Sequence, residues 1–126
     1  MTIQRYHTAT RFSQICVHGG TVYLAGQVPD VVEGRDCADQ ARQVFAKVDA
    51  LLAEAGSHKS NLLQVTVWLT DMADYDGFNE QWDAWLVAGP TPTRACIQTR
   101  LARSGWRVEV LAIAALCTNN SDLQRA

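Results

Sequence analysis

Residues 36–70 read DCADQARQVFAKVDALLAEAGSHKSNLLQVTVWLT, and within them the apolar period changes once. Ala41, Val44, Phe45, Val48, Leu51 and Leu52 recur at spacings of three and four, which lines one face of a helix, until Gly56 supplies a stop. The spacing predicts an amphipathic helix over 36–55. From 64 to 70 the period becomes two: Val65, Val67 and Leu69 alternate with Thr66, Trp68 and Thr70. The β-branched and aromatic content predicts a strand with two unlike faces, one of them against the helix.

Working outward, Ile15-Cys16-Val17 and the β-rich run 21–26 flank the turn signal His18-Gly19-Gly20, which predicts a hairpin. A second helix is expected from about Tyr75, with Asp74 as N-cap, Phe78, Trp82, Trp85 and Leu86 on one stripe, and Gly89-Pro90 at its end. Its polar face carries Asn79, Glu80 and Asp83. Residues 95–99 and 107–116 read as closing strands, the latter almost wholly apolar, as a central strand buried on both faces would be.

The order ββ(β)αβαββ makes this an α+β chain. Strands separated by helices need crossovers, so the sheet is mixed and two helices pack on one face. The other face is left bare. Apolar side chains and tryptophans there would be an aggregation hazard in a monomer, so self-association is expected, with the number of copies left open by pattern alone.

A chain of 126 residues, 48% of them apolar, holds one domain and one core, assigned to 1–117, with 118–126 read as a polar, frayed tail. The formal charge of −2 supplies no general attraction for a polyanion, so nucleic acid is not the expected partner. No apolar run approaches the ~20 residues that span a bilayer, and no signal-like stretch follows the first residues, so no membrane partner and a cytoplasmic location are expected. Cys16, Cys37, Cys96 and Cys117 form no CxxC and read as reduced thiols.

The chemistry concentrates in TPTRACIQ, residues 91–98, and in RVEVLAIAA, residues 107–115. On a strand, Arg94, Cys96 and Gln98 share one face. The guanidinium of Arg94, set just after a stiffening proline, reads either as a bidentate carboxylate anchor or as an ordinary salt bridge. Glu109 is the one acidic residue of its apolar run. Such a carboxylate is paired or functional when buried: it orients or deprotonates a water, or it forms a structural Arg–Glu pair. Cys96 reads as packing in preference to a nucleophile, because no His stands at a spacing that implies a pair. His7, His18 and His58 do not assemble a metal site, Gly19-Gly20 lacks the spacing of a phosphate loop, and the four tryptophans read as core or interface packing.

In order and spacing, VYLAGQVPD (22–30), the run 40–85, PTRACIQ (92–98) and VEVLAIAA (108–115) resemble the RidA/YjgF family over residues 11–116. SQICVHGGTVYLAG, GSHKSNLL and FNEQWDAWLVAG look like its YoaB-type branch. The resemblance implies a chorismate-mutase-like fold and a homotrimer with a central β-barrel and clefts between neighbouring subunits. It also implies hydrolysis of 2-imino or 2-enamino acids, such as 2-aminoacrylate and 2-iminobutanoate, to 2-oxo acids and ammonia, with no cofactor.

Carried over position by position, the family's essential arginine is Arg94, its neighbouring cysteine Cys96, its water-orienting glutamate Glu109 and its cleft asparagine Asn79, with Gly26 at the turn beside the pocket. Ala25 stands where deaminating members commonly have Ser, Phe12 where they have Tyr, and Leu111 where many have a second Glu. Lost hydrogen bonds of that kind, worth ~1 kcal/mol each, alter substrate preference more readily than they abolish hydrolysis. Two competing functions remain: a non-catalytic trimer that binds small carboxylates through Arg94, and RNA cleavage or translation inhibition through Arg100, Arg103 and Arg107.

Overall fold

A computed structural model describes residues 1–87 and 89–118; the expected tail beyond Thr118 lies outside the described residues. Six strands and two α-helices follow the order β1 (Gln4–Thr8), β2 (Ser13–His18), β3 (Thr21–Leu24), α1 (Cys37–Ala55), β4 (Leu62–Leu69), α2 (Tyr75–Trp85), β5 (Thr93–Gln98) and β6 (Val108–Ala115). They form one mixed sheet, β1-β2-β3-β6-β4-β5, in which only β4 and β5 run parallel. The last strand thus inserts between the N-terminal meander and the β4–β5 pair. The expected α+β class, mixed sheet and two helices on one face are all present; the third N-terminal strand, β1, precedes the hairpin, whereas the expected order places the bracketed strand after it.

Helix α1 begins and ends where its local chemistry dictates. The Asp36 carboxylate accepts from the Asp39 N–H, satisfying an otherwise orphan donor, and Gly56 closes the helix with its N–H on the Ala53 carbonyl. Its buried stripe of Ala41, Val44, Phe45, Val48 and Leu52 lies over β2, β3 and β6. Phe45 stacks face to face on Trp85 of α2, ring centroids 4.3 Å apart, and the Trp85 indole N–H donates to Asp49 at 3.0 Å. That contact joins the two helices with the indole's one donor satisfied.

Asp74 departs from expectation. It occupies the N-cap position of α2, but its backbone is already helical and its carboxylate caps nothing. A short 3-10 turn over Met72–Asp74 precedes the helix, capped by Asp71. The Asp74 carboxylate instead takes the Arg107 guanidinium as a two-pronged ion pair, 3.0 to 3.2 Å, tying the start of α2 to the start of β6. A pair with an arginine outcompetes a single N–H for that carboxylate. Helix α2 also stops at Trp85, short of Gly89-Pro90.

The expectation that the apolar last strand is buried on both faces also needs correction. Val108, Val110, Ala112 and Ala114 are buried under the helices, while Glu109, Leu111, Ile113 and Ala115 are only half-buried on the bare face. Strand pairing places Tyr23 beside Cys16 and Ile113, Thr66 beside Leu111, and Trp68 beside both Glu109 and Ile97, so this face is continuous and mostly apolar. Tyr23 and Ile97 are 45% and 47% exposed there. No helix among the described residues is long and apolar enough to cross a membrane.

Candidate functional site

Strand β5 is the sheet edge nearest α2, and its helix-side residues are Arg94, Cys96 and Gln98, as alternation requires. The Gln98 side chain accepts from the Met72 N–H at 2.8 Å, Cys96 packs against the core, and Arg94 reaches the helix itself. Arg94 Nη1 donates to Asn79 Oδ1 at 2.8 Å and Nη2 to the Tyr75 hydroxyl at 3.2 Å. Its guanidinium carbon lies 4.9 Å from the Trp82 ring centroid. Tyr75, Asn79 and Trp82 stand at i, i+4 and i+7, one stripe of α2, so a single helix face holds the guanidinium by hydrogen bonds and by its π-cloud.

Asn79, expected on the polar face, therefore has its amide turned to Arg94. Arg94 has no carboxylate partner among the described residues, so it is not the ordinary salt bridge considered above. Met72, Tyr75, Arg94 and Cys96 line an open depression of about 430 Å³. With three of its guanidinium faces and edges occupied by neutral partners, Arg94 keeps its full charge available to an anion in that depression.

The Cys96 thiol is pushed up by burial, against which the adjacent Arg94 charge works in the opposite direction. At neutral pH it is a thiol, which suits packing and not nucleophilic attack. Cys37, deeper in the same layer, is pushed up to about 12 by burial, with the Asp74 charge adding to it.

Glu109 belongs to a different place. Its strand partner is Trp68, whose side chain is on the bare face, whereas the strand partner of Arg94 is Val65, which is fully buried under the helices. Arg94 and Glu109 thus leave opposite faces of the sheet, and the structural Arg–Glu pair raised as an alternative does not form. Glu109 has no ion pair among the described residues, and burial raises its carboxyl above the usual range.

The carboxylate of Glu109 lies directly over Gly26, so close that a Cβ at position 26 would collide with Oε2. Glycine is required here for space and not for an unusual backbone angle. The segment around it is fixed: Ala25 N–H donates to the Gln14 carbonyl, Gln27 exchanges two backbone hydrogen bonds with Val110, and the buried Gln27 amide donates to Gln14 Oε1 and to the Ala25 carbonyl. Phe12, in the turn between β1 and β2, is 56% exposed.

Arg94, Asn79 and Cys96 are thus brought together on one face, and Gly26 and Glu109, with Ala25 beside them, on the other. Tyr75 and Trp82 were not singled out for this site by sequence. Their signal is the four- and seven-residue spacing from Tyr75 to Asn79 and Trp82, of which the sequence reading takes Trp82 as core packing and Asn79 as a polar-face residue.

A family model described as Endoribonuclease L-PSP matches residues 2–116. The chain is 40% identical over 114 residues to a "RutC family protein" of Haemophilus influenzae, covering 90% of this chain and 98% of that protein. It is 37% identical over 116 residues to "RutC family protein YoaB" of Escherichia coli K12, covering 92% and 100%. Its fold superimposes on a crystal structure of a YjgF-family member from Neisseria meningitidis with a TM-score of 0.90 at 41% identity, covering 94% and 98% of the two chains.

Proposed function

The chain belongs to the endoribonuclease L-PSP family, with RutC and YjgF proteins among its relatives, and from that premise we propose that it hydrolyses 2-imino and 2-enamino acids to 2-oxo acids and ammonia. The observation that carries the reading is the division of its polar groups into two half-sites: a carboxylate anchor built on Arg94, and an unpaired, proton-hungry carboxylate at Glu109. One chain cannot close them around a ligand. The cleft is therefore formed between copies, the Arg94 side of one against the bare face of the next, in a homotrimer.

In that cleft the substrate carboxylate takes the free edge of Arg94, whose orientation Asn79 and Tyr75 hold in advance. A backbone group near Cys96 accepts or donates to the substrate nitrogen. An enamine first tautomerises to the imine, taking a proton at C3 and losing one from nitrogen. Glu109 then accepts a proton from water as the water oxygen bonds to C2, and returns it to the nitrogen. The hydroxyl proton of the resulting carbinolamine passes through Glu109 to the nitrogen as the C2–N bond breaks, so that ammonia leaves and the C2 carbonyl forms. A carboxyl raised by burial suits both halves of this transfer. Imines hydrolyse unaided in water, so positioning and one proton shuttle are a sufficient catalytic apparatus. None of these steps calls for a cofactor.

The test is release of ammonia or 2-oxo acid from enzymatically generated 2-aminoacrylate and 2-iminobutanoate, compared among wild type, Arg94→Ala and a blank. Acceleration that Arg94→Ala abolishes supports a deaminase. Saturable binding of a 2-oxo acid with no acceleration over the blank sinks it in favour of a carboxylate-binding assembly. RNA cleavage is disfavoured by Arg107, whose guanidinium is already taken by Asp74.

A further inference from the structure

One cavity lies apart from both half-sites. It measures about 810 Å³, opens where β4 and β5 end, and is bordered by Arg35, Asp71, Arg100, Arg103, Trp106 and Arg107 among others. Four of the chain's 11 basic residues border this one space, although the chain as a whole is acidic.

Charge compensation there is incomplete. Arg107 is neutralised by Asp74, whereas Asp71, whose carboxylate accepts from the Ala73 N–H, keeps its negative charge and offsets one of the arginines. Arg35 has only a 3.8 Å contact with Asp39, a carboxylate it shares with Arg42 at 3.5 Å. Arg100 and Arg103 have no carboxylate partner among the described residues; Arg103 lies over the Trp106 ring at 6.0 Å.

The loop that carries them is built to hold its shape. The side chain of Gln40, wholly buried in α1, donates to the Gly105 carbonyl at 3.0 Å and accepts from the Arg107 N–H at 2.8 Å. Gly105 adopts φ +93°, a turn that a side chain would strain. The loop's two ends are pinned by Thr99 N–H on the Leu69 carbonyl and Thr70 N–H on the Arg107 carbonyl. A buried glutamine spent on a surface loop is costly unless the loop's shape matters.

We infer that this cavity is a second binding site, for a small polyanion carrying at least two negative charges, as polyphosphates and polycarboxylates do. Arginine forks take either group in bidentate fashion, and the cavity volume is that of a small-molecule site. Arg35, Arg100 and Arg103, less the charge of Asp71, leave about two uncompensated positive charges, enough for a ligand that carries two negative ones. They are too few for a nucleic-acid track, whose affinity rises with each phosphate neutralised. The preformed loop lowers the ordering cost of binding.

Calorimetric titration at fixed ionic strength tests this, with pyrophosphate in one arm and citrate in the other, on the assembled Arg94→Gln protein so that the other anion anchor is absent. The expected result is saturable binding of one ligand per chain in at least one arm, the arm identifying phosphate or carboxylate. Adding Arg100→Gln and Arg103→Gln should weaken it at least tenfold with the circular dichroism spectrum unaltered. The site is refuted by heats that do not saturate in either arm, by binding that survives the added substitutions, or by a 20-nucleotide single-stranded RNA that binds more tightly than both anions through the same two arginines.

Discussion

Arg94 and Glu109 flank the same strand, β4, and point to opposite faces of the sheet: Arg94 pairs with the buried Val65, Glu109 with the bare-face Trp68. In the proposed cleft, a ligand that touches both lies between two chains. This makes the proposed reaction depend on how subunits are combined.

Arg94→Ala and Glu109→Ala homo-oligomers should each lose at least ~10²-fold in rate, the order seen when a positioned charge is removed. Mixing them by co-expression places an intact Arg94 against an intact Glu109 in some clefts. In a ring of head-to-tail contacts, random assembly restores about a quarter of the clefts. Activity of the mixture should therefore rise to a large fraction of that value. A mixture no better than its two components would place both residues' roles within single chains and refute the shared cleft.

The contact of Gly26 with Glu109 yields a stability prediction that needs no substrate. Gly26→Ala inserts a methyl where the Glu109 carboxylate lies, so the carboxylate must move or the backbone must yield. Overpacking of this sort costs about 1–3 kcal/mol. Glu109→Asp withdraws the carboxylate by one methylene. The double variant should be more stable in urea than Gly26→Ala alone, a coupling that a double-mutant cycle reads directly. Additive losses would mean that the two side chains do not compete for the same space.

Burial raises the Glu109 carboxyl above its ordinary value of 4.5, so the folded chain holds that proton more tightly than the unfolded chain. The sign follows from linkage: a raised carboxyl contributes stability that is complete below the unfolded value and is lost as pH climbs through the folded value. Glu109→Gln removes the titration. Its melting temperature relative to wild type should be flat in acid, rise as pH passes upward from about 4.5, and level off once wild-type Glu109 is ionised. A difference that is constant across pH would show that burial does not hold the proton on Glu109.

How far the sequence leads depends on the range of the interaction. Helix α1 is legible at both ends because Asp36, Gly56 and the apolar stripe between them act locally. Alternation likewise places Arg94, Cys96 and Gln98 on one face within β5. It does not relate the face of one strand to the face of another, which depends on register, and so Arg94 and Glu109 could be imagined as partners. Asp74 is misread for the same reason: its carboxylate answers to Arg107, 33 residues away, and not to the nearest helix N–H. Gln40 looks like one polar residue among several on α1, and only the fold shows its amide holding the loop at Gly105.

The bare sheet face decides whether any cleft exists. Ile113 sits at its centre beside Tyr23 and away from the helix-side core, so Ile113→Asp should leave the fold of a single chain intact while placing a charge where two faces meet. In sedimentation velocity, wild type is expected at about three times the 13.9 kDa chain mass, and Ile113→Asp near one. The variant should also lose imine hydrolysis although Arg94 and Glu109 are both present, because neither half-site works without a neighbour. A wild type that sediments as a monomer at micromolar concentration would remove the basis for a cleft between copies. An Ile113→Asp protein that stays assembled would move the interface to another surface, and with it the place where Arg94 meets its second half.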